Sequence, residues 1–377
     1  MKKREFIKTL GLGSLALAGT GHFSELLANS GGQRTGSRKN WIWMTPKKGM
    51  PADYWKRQME LVKSSGIDAI LPEVYNGHHA FYDTDRFPVV ENWLEVLIPI
   101  CKSLELEIHT WMWTMPCSNP AFVKKHPDWY VVNRNGESAA VKPPYVPYYK
   151  FMDACHPEVQ EFVRENVESL AKIPEIDGVH LDYVRLPDVI LAEGLQPKYN
   201  IVQDSEFPEY DYSYSDYCRK QFKAITGIDP LTDLDDPQSN EAWRQFRYDS
   251  ITNLVNGKLI PEAKKYKKQI TAAVFPNWWH VRQEWRAWKL DGVLPMLYHG
   301  FYNEDLNWVK MQCKKGVGDM IVPKPLYSGL FMSDLNPDEL KEAYKLSMEG
   351  GASGISLFSL GGMKEGHWKA LKSLVHK

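Results

Sequence analysis

The chain has 377 residues, of which 43% are hydrophobic and 25% are charged, and its formal net charge is -1. These values are ordinary for a globular protein, and the length allows one large barrel or two modest domains. The near-zero charge gives no electrostatic reason to expect nucleic acid or an anionic membrane as the partner. The 14 Trp and 19 Tyr residues gather near predicted strand ends, a pattern typical of a packed barrel and also of platforms that stack on sugar rings.

An export signal is predicted over residues 1–30. Residues 2–4 are basic, residues 10–18 form a short apolar stretch, and small residues at 28–32 would permit cleavage. The apolar stretch is too short for a membrane span. Residues 3–8 resemble a twin-arginine signal in which lysine replaces the first arginine, and a Sec signal fits as well. We therefore expect a periplasmic or secreted protein without stable insertion into the membrane.

Strand-like and helix-like segments then alternate along the chain. In the first helical segment the apolar spacing stops at Gly66, as expected for a glycine that follows a helix. The predicted strands cover residues 41–44, 67–74, 106–113, 178–184, 270–275, 292–298, 320–326 and 354–358. The predicted helices cover residues 51–65, 92–104, 157–172, 241–266, 280–288, 306–313 and 336–348, followed by a closing helix near the C-terminus.

This alternation predicts parallel βαβ units, and eight of them fit a single closed (β/α)8 barrel over residues 31–377. A doubly wound open sheet is the alternative, but no Gly-x-Gly-x-x-Gly follows the first strand and no Walker-type motif appears. Residues 186–240 break the rhythm, because they are too long for an ordinary βα connection, and we expect an inserted functional loop there. Its tyrosines would line extra subsites or pack the loop: Tyr210, Tyr212, Tyr214 and Tyr217.

The cysteines and histidines give no sign of a metal site. The five cysteines are scattered and form no Cys-x-x-Cys pair: Cys101, Cys117, Cys155, Cys218 and Cys313. We expect most of them to be buried, with room for one disulfide whose partners the sequence leaves open. His78 and His79 lack a His-x-His strand or an acidic partner at fixed spacing, so no metal and no cofactor is predicted.

The position of a polar residue along a barrel strand predicts its role. Catalytic residues of a (β/α)8 barrel lie at the carboxyl ends of the strands and in the loops that follow. Asp68, Asp177 and Asp291 lie where strands start. We therefore expect these three residues to cap or solvate loops at the opposite end of the barrel.

The fourth strand carries the strongest functional signal, Asp-Gly-Val-His-Leu-Asp-Tyr-Val-Arg-Leu-Pro over residues 177–187. Alternation places His180 and Asp182 on one face and Arg185 on the other, although Arg185 can turn toward the pocket where the faces splay at the barrel mouth. Burying a carboxylate among apolar residues is costly unless it is paired or hydrogen-bonded. Asp182 is therefore the first catalytic candidate, as nucleophile or base. The alternative is a structural Asp–Arg pair that closes the barrel top.

This motif resembles the fourth strand of the glycosyl-hydrolase-like family 10 proteins and their bacterial relatives. Residues 151–159, 273–276 and 291–298 resemble other landmarks of these proteins in the same order. The resemblance covers most of the chain after the signal, and it implies a (β/α)8 barrel that acts on or binds bacterial or plant polysaccharides. A related branch, the hydrolases of poly-N-acetylglucosamine, has paired aspartates where this chain has Asp182 and Tyr183, so no particular sugar is carried over.

A glycosidase also needs an acid with a raised pKa to protonate the leaving oxygen. Glu73 ends the second strand among apolar neighbours, whose desolvating effect would favour the protonated form. It is the first candidate for this acid, and its alternative role is to hold a sugar hydroxyl. The reserve candidates are Asp188, Glu206, Glu209 and Asp211.

Further aromatic and polar residues fall near predicted strand ends and would form a carbohydrate-binding cleft. Aromatic faces bind the C–H face of a pyranose, and polar side chains bind its hydroxyls. The predicted substrate-binding residues are Tyr75, Asn76, His78, Trp111, Trp113, His180, Arg185, Asn277, Trp278, Tyr298, His299 and Tyr327.

The leading hypothesis is an exported glycoside hydrolase that cleaves a poly- or oligosaccharide with two carboxyl groups and no cofactor. The alternative is a non-catalytic carbohydrate-binding barrel, which needs no second carboxylate facing Asp182. A metal-dependent amidohydrolase on the same barrel ranks third and would require bound zinc. The sequence leaves open the sugar, the stereochemistry and the oligomeric state.

Overall fold

The computed structural model describes residues 38–375, so the predicted export signal lies outside the described residues. Within that range, no helix is both long and apolar enough to span a membrane. The strands are β1 (Trp41–Met44), β2 (Ala69–Tyr75), β3 (Glu107–Trp113), β4 (Gly178–Asp182), β5 (Gln269–Val274), β6 (Gly292–Pro295), β7 (Ser328–Phe331) and β8 (Ile355–Phe358). The α-helices are α1 (Ala52–Ser64), α2 (Trp93–Ser103), α3 (Pro120–Lys125), α4 (Pro157–Ala171), α5 (Asp216–Thr226), α6 (Glu241–Leu254), α7 (Ile260–Lys265), α8 (Leu306–Gly318), α9 (Pro337–Glu349) and α10 (Glu365–Val375).

The eight strands form one parallel sheet in the order β6-β5-β4-β3-β2-β1-β8-β7. Its two edge strands meet through single bridges, Val293 with Leu326 and Met296 with Gly329. The N–H of Leu297 donates to the carbonyl of Gly329 along this seam, at 3.0 Å. The sheet therefore closes into the predicted (β/α)8 barrel.

Alternate strand residues fill the barrel interior, as the two-residue period of a strand requires. The interior is a separate apolar cluster of Trp41, Trp43, Ala69, Leu71, Trp111, Ala273, Leu294 and Tyr327. The opposite strand faces, including Ile42 and Ile70, belong to the larger core beneath the helices. Leu71 points into the barrel, so the side chain of Glu73, two residues further along β2, points inward as well.

Aspartates at the amino ends of the strands bind backbone groups. Their carboxylate oxygens accept N–H groups near the start of the neighbouring strand: Asp68 from Asn40 at 2.8 Å, Asp177 from Ile108 at 2.8 Å and Asp291 from Ile270 at 2.7 Å. Each contact ties the starts of two strands together. The prediction that these aspartates have structural roles is confirmed.

The seventh strand begins later than predicted. The sequence predicts a strand over residues 320–326, but β7 begins only at Ser328. The intervening Val-Pro-Lys-Pro run lacks two of the backbone N–H groups that a paired strand donates, so regular pairing starts after it. Tyr327, predicted to follow this strand at the barrel mouth, instead lies before β7. Its ring packs 5.2 Å from that of Trp41 inside the barrel.

The helix predicted over residues 280–288 does not form. Two short 3-10 helices, Trp278–Val281 and Trp285–Ala287, take its place. Between them, the buried side chain of Gln283 accepts the N–H of Phe275 at 2.9 Å and donates to two carbonyls near the ends of β4 and β5 at 3.3 Å. This side chain turns inward to satisfy the backbone at the strand ends, and the chain around it leaves the helical path.

Two long connections follow β3 and β4. Residues 186–240 contain a 3-10 helix, Glu193–Tyr199, and α5. Residues 114–156 contain α3 and were not predicted to be unusual. A disulfide between Cys155 and Cys218 joins the two connections. Both connections contribute residues to the cavity described next.

Candidate active site

A cavity of about 390 Å³ opens at the carboxyl ends of the strands. Its volume is typical of a small-molecule or sugar site. The lining combines acidic residues at two strand ends with a wall of aromatic rings. Residues that define it include Glu73, Trp111, Trp113, Asp182, Tyr298 and Phe358.

Glu73 and Asp182 reach this cavity from β2 and β4, which flank β3. In the sheet register Glu73 lies beside Trp111, and Asp182 lies beside Trp113, so Asp182 is nearer the barrel mouth. Both residues are buried, with 7% of Glu73 and 9% of Asp182 exposed. Among the residues that the structure describes, neither carboxyl group forms an ion pair. The arginine whose charge acts on Asp182, Arg185, pairs instead with Asp188.

Two hydrogen-bond donors hold the Asp182 carboxylate. The indole Nε1 of Trp111 donates to Oδ2 at 3.0 Å, and the backbone N–H of Tyr183 donates to Oδ1 at 2.7 Å. Tyr183 has a φ of 51°, a left-handed conformation that costs free energy for a residue other than glycine. Burial raises the pKa of Asp182 to about 6, against the lowering effects of the Tyr183 N–H, the Arg185 charge and the Trp111 indole. The donors favour the ionised form within a site that otherwise disfavours it.

Glu73 has a different environment. Burial and then the negative charge of Asp182 raise the pKa of Glu73 to about 7, against a hydrogen bond from the side chain of Asn76. Asn76 is itself fixed, since its side-chain oxygen accepts the N–H groups of His78 at 3.2 Å and His79 at 2.9 Å. Near neutral pH, Glu73 therefore keeps its proton more readily than Asp182 does. The pair separates into a proton donor and an anion.

Arg185 pairs with Asp188 within the cavity wall. Its Nη1 donates to Asp188 Oδ2 at 2.9 Å, and 2% of the arginine is exposed. The guanidinium lies over the ring of Phe275 at 4.7 Å and near that of Tyr183 at 5.2 Å. A structural Asp–Arg pair therefore exists at the barrel top, but its acid is Asp188, which leaves Asp182 without a cationic partner.

The structure brings six of the predicted site residues together in the cavity wall: Glu73, Trp111, Trp113, Asp182, Arg185 and Tyr298. The ring of Tyr298 lies 5.4 Å from that of Phe331 and 6.0 Å from that of Phe358. These residues come from strands far apart in the sequence. The closed barrel joins them at one mouth.

Four other predicted residues lie behind or below the cavity. Tyr75 faces the outer core, where its ring stacks on that of Phe87 at 4.1 Å. Asn76 contacts Glu73 from behind, and a ring nitrogen of His78 lies 3.3 Å from the carbonyl of Ser118. The remaining residue, His180, is fully buried one layer lower and bonds with two interior side chains, Trp43 at 3.2 Å and Thr271 at 2.9 Å.

The last predicted binding residues also lie outside the lining. Asn277 and Trp278 follow β5 on another side, where the ring of Trp278 packs on that of Tyr248 at 5.2 Å. His299 begins a 3-10 helix whose later residues line the cavity in its place. Tyr327 lies lower in the barrel interior, as described above.

The reserve acids of the insertion hold that loop together. Glu206 pairs with Arg282 at 2.5 Å, and Asp211 pairs with Arg247. The backbone carbonyl of Glu209 accepts a hydrogen bond from an asparagine of the preceding connection at 3.1 Å. None of these three acids lines the cavity among the residues the structure describes.

Sequence reasoning missed several aromatic residues of the wall: Tyr149, Tyr183, Phe301, Tyr302, Phe331 and Phe358. Tyr149 follows a Pro-Pro-Tyr-Val-Pro-Tyr run in the overlooked connection, and this composition was the available signal. Phe331 and Phe358 end β7 and β8. The rule that strand ends form the site already pointed to Phe358, which ended the predicted eighth strand, and it points to Phe331 once β7 is placed correctly.

One group of potential metal ligands occurs in the described part of the chain: Asp153, Cys155 and Cys218. The two cysteines form the disulfide, so their sulfurs are not thiolates. This group lies apart from the cavity residues and serves to join the two long connections.

The comparisons agree with this architecture. Residues 38–193 match the glycosyl hydrolase-like 10 family model, which confirms the predicted resemblance over that range. No curated protein sequence gives a significant match. Similar solved structures include the PgaB (BpsB) glycoside hydrolase domain from Bordetella bronchiseptica, with a TM-score of 0.68 and 12% identity over 89% of this chain and 98% of that chain.

Two other enzymes have the same fold. The catalytic domain of β-amylase from Paenibacillus polymyxa has a TM-score of 0.63 and 11% identity over 89% of this chain and 97% of that chain. α-L-Fucosidase isoenzyme 2 from Paenibacillus thiaminolyticus has a TM-score of 0.60 and 13% identity over 90% of this chain and 49% of that chain. The protein therefore has a glycoside-hydrolase-like (β/α)8 fold.

Proposed function

We propose that the protein is an exported glycoside hydrolase that cleaves a poly- or oligosaccharide with Glu73 as the acid and Asp182 as the nucleophile or base. The observation that carries the proposal is the pair of buried carboxyl groups that share one cavity and lack an ion-pair partner among the described residues. Buried acids without cations are costly to maintain, and they are typical of catalytic sites.

The chemistry follows from the protonation of the pair. Glu73, whose pKa is raised to about 7, donates its proton to the glycosidic oxygen as the bond from the anomeric carbon to that oxygen breaks. The Asp182 carboxylate either attacks the anomeric carbon or takes a proton from the attacking water. In the first case water then releases the sugar from Asp182, with Glu73 accepting the proton from that water.

The cavity walls suit a carbohydrate substrate. Trp111, Trp113 and Tyr298 offer aromatic surface for the C–H faces of a pyranose. The family match over residues 38–193 supports the same substrate class. The basic and apolar segments at the start of the sequence support export to the periplasm or the medium.

The test is a reducing-sugar screen of the purified protein against a panel of polysaccharides, beside Asp182→Asn. We expect the wild type to release reducing ends, and the variant to lose on the order of 10³-fold or more in rate while its circular dichroism is unchanged. NMR of the first product anomer then distinguishes attack by Asp182 from attack by water. Binding without release, equal in both proteins, would refute hydrolysis and leave a carbohydrate-binding barrel.

A further inference from the structure

The aromatic surface of the cavity continues outward beyond Trp113. On its inner side the Trp113 ring lies 4.6 Å from that of Tyr183, which lines the cavity. On its other side it lies 5.9 Å from the ring of Tyr148, which is not part of the cavity lining. Tyr148 is 46% exposed. Aromatic surface therefore extends from the enclosed site to the solvent.

The rings of this extension are supported from behind. Gly77 has a φ of +75°, and a Cβ atom there would lie 2.6 Å from the carbonyl oxygen of Pro116 and 3.6 Å from Cε3 of Trp113. Only glycine allows this turn, with its positive φ, to approach the Pro116 carbonyl so closely, and the turn then lies in van der Waals range of the Trp113 indole. Tyr148 in turn packs edge-on against Tyr149, with 5.3 Å between ring centroids.

The segment that carries Tyr148 is also anchored to the cavity. Tyr145 donates its hydroxyl to the backbone carbonyl of Asp188 at 2.8 Å, and its ring stacks on that of Tyr210 at 4.7 Å. Asp188 itself lines the cavity. The chain is therefore anchored three residues before Tyr148, whose ring remains partly exposed against Trp113 and Tyr149.

We propose that Tyr148 forms a second sugar subsite next to Trp113 of the cavity wall, so that the protein binds a chain of at least two linked pyranoses. This inference rests on the proposed carbohydrate function. Linked pyranoses present successive apolar C–H faces along a chain, and the partly exposed Tyr148 ring adjoins Trp113 of the cavity wall, so one chain can contact both aromatic surfaces. One sugar lies in the cavity beside Glu73 and Asp182, and the next stacks on Tyr148.

Affinity as a function of chain length tests the subsite. Asp182→Asn, which prevents turnover, is titrated by calorimetry with two ladders from monosaccharide to hexasaccharide, one of β-1,4-linked glucose and one of β-1,4-linked N-acetylglucosamine. We expect affinity to rise with chain length for at least one ladder. Adding Tyr148→Ala should weaken binding of the longer oligomers by roughly 3- to 10-fold and leave monosaccharide binding unchanged.

Two further variants control for general effects of substitution. Tyr217→Ala removes a tyrosine that is 37% exposed on α5 and lies against His156, outside the cavity lining. It should retain the full gain in affinity with chain length. Tyr148→Phe keeps the ring and should also retain this gain.

The possible results separate the two proposals. The subsite alone would be overturned if Tyr148→Ala left the increase of affinity with chain length unchanged. It would also be overturned if this substitution weakened binding of the monosaccharide and the hexasaccharide equally. If affinity increases with chain length through Tyr148 but the wild type releases no sugar from any substrate, the subsite is supported and hydrolysis is overturned. Failure of the wild type and every variant to bind either ladder, together with no release of reducing ends from any polysaccharide of the panel, would overturn both proposals.

Discussion

The two ends of the barrel interior treat acids in opposite ways, and the acid at the lower end, Glu107, is only partly buried. At the lower end, Glu107 accepts both a bidentate contact from Lys39 at 2.7 Å and a hydrogen bond with His109 at 2.9 Å. Burial there acts to raise the pKa of Glu107, but the bonds from His109 and Lys39 outweigh it and lower the pKa to about 2. At the mouth, burial dominates and raises the pKa of Glu73 to about 7 and of Asp182 to about 6.

This difference is what the proposed function requires, with acids that stabilise the fold at the lower end and acids that can exchange a proton at the mouth. An acid with its charge compensated lowers the free energy of the folded state and exchanges no proton near neutral pH. An acid left without a cation lowers stability when it is ionised, and it titrates where an enzyme works. The contrast fits the general rule that (β/α)8 barrels place stability at the amino ends of their strands and activity at the carboxyl ends.

The largest expected effect comes from making one substitution at each end. Glu73→Gln should lower kcat/KM by on the order of 10²- to 10⁴-fold, because it removes the proton donor. Glu107→Gln should change kcat/KM by no more than about twofold, since it lies outside the cavity. Steady-state kinetics on one substrate measures both, and similar losses in the two variants would contradict the division of roles between the ends.

A smaller effect on the rate is expected when Trp111 loses the indole N–H that donates to Asp182. The wild-type rate should depend on pH as a bell, with an acid limb near pH 6 where Asp182 must be ionised and an alkaline limb near pH 7 where Glu73 must be protonated. Trp111→Phe removes the N–H that stabilises the carboxylate, so the acid limb should move up by about one pH unit. The kcat at pH 6 should fall roughly fivefold, because the ionised fraction of Asp182 falls by that factor. An unmoved acid limb would show that this bond does not tune Asp182.

Stability should also respond to the uncompensated acid. The raised pKa of Asp182 means that the folded state holds its proton more tightly than the unfolded state, so this contribution is present below about pH 4 and lost as pH rises through 6. Asp182→Asn abolishes the dependence. Its free energy of unfolding relative to wild type should therefore rise between pH 4 and pH 7, on the order of 2 kcal/mol by urea titration. A constant difference across this range would contradict the assignment.

The smallest effect is expected at the lower end, where substituting Glu107 should lower the free energy of unfolding, whereas substituting Asp182 should raise it. Glu107→Gln leaves Lys39 and the buried His109 without their acid, and it should lower the free energy of unfolding at pH 7 by about 1 kcal/mol, a value reduced by the partial exposure of the pair. Because the pKa of Glu107 is lowered, its contribution is present above about pH 4.3 and lost as pH falls toward 2. Urea titrations at pH 7 and pH 3 measure this, and a variant more stable at pH 7 would reverse the contrast.

The sequence alone determined the barrel, and it singled out two acids that the structure places in the cavity lining. Repeated switching between the two-residue period of strands and the helical period leaves few folds other than a parallel sheet with helices around it. Once strands are placed, alternation and the carboxyl-end rule select Asp182 and Glu73 from the many acids of the chain. The same rule correctly assigned structural roles to Asp68, Asp177 and Asp291.

Only the tertiary structure decided which aromatic residues share the cavity and how the acids are tuned. Trp113 ends a predicted strand and Trp278 comes shortly after another, yet Trp113 lines the cavity and Trp278 packs elsewhere. The position of Trp278 depends on how the chain turns after β5, and local patterns do not encode that turn. The pKa of Asp182 depends on Trp111, which is distant in sequence and adjacent in the sheet. Burial and charge are sums over neighbours in space, so they exist only once the barrel has closed.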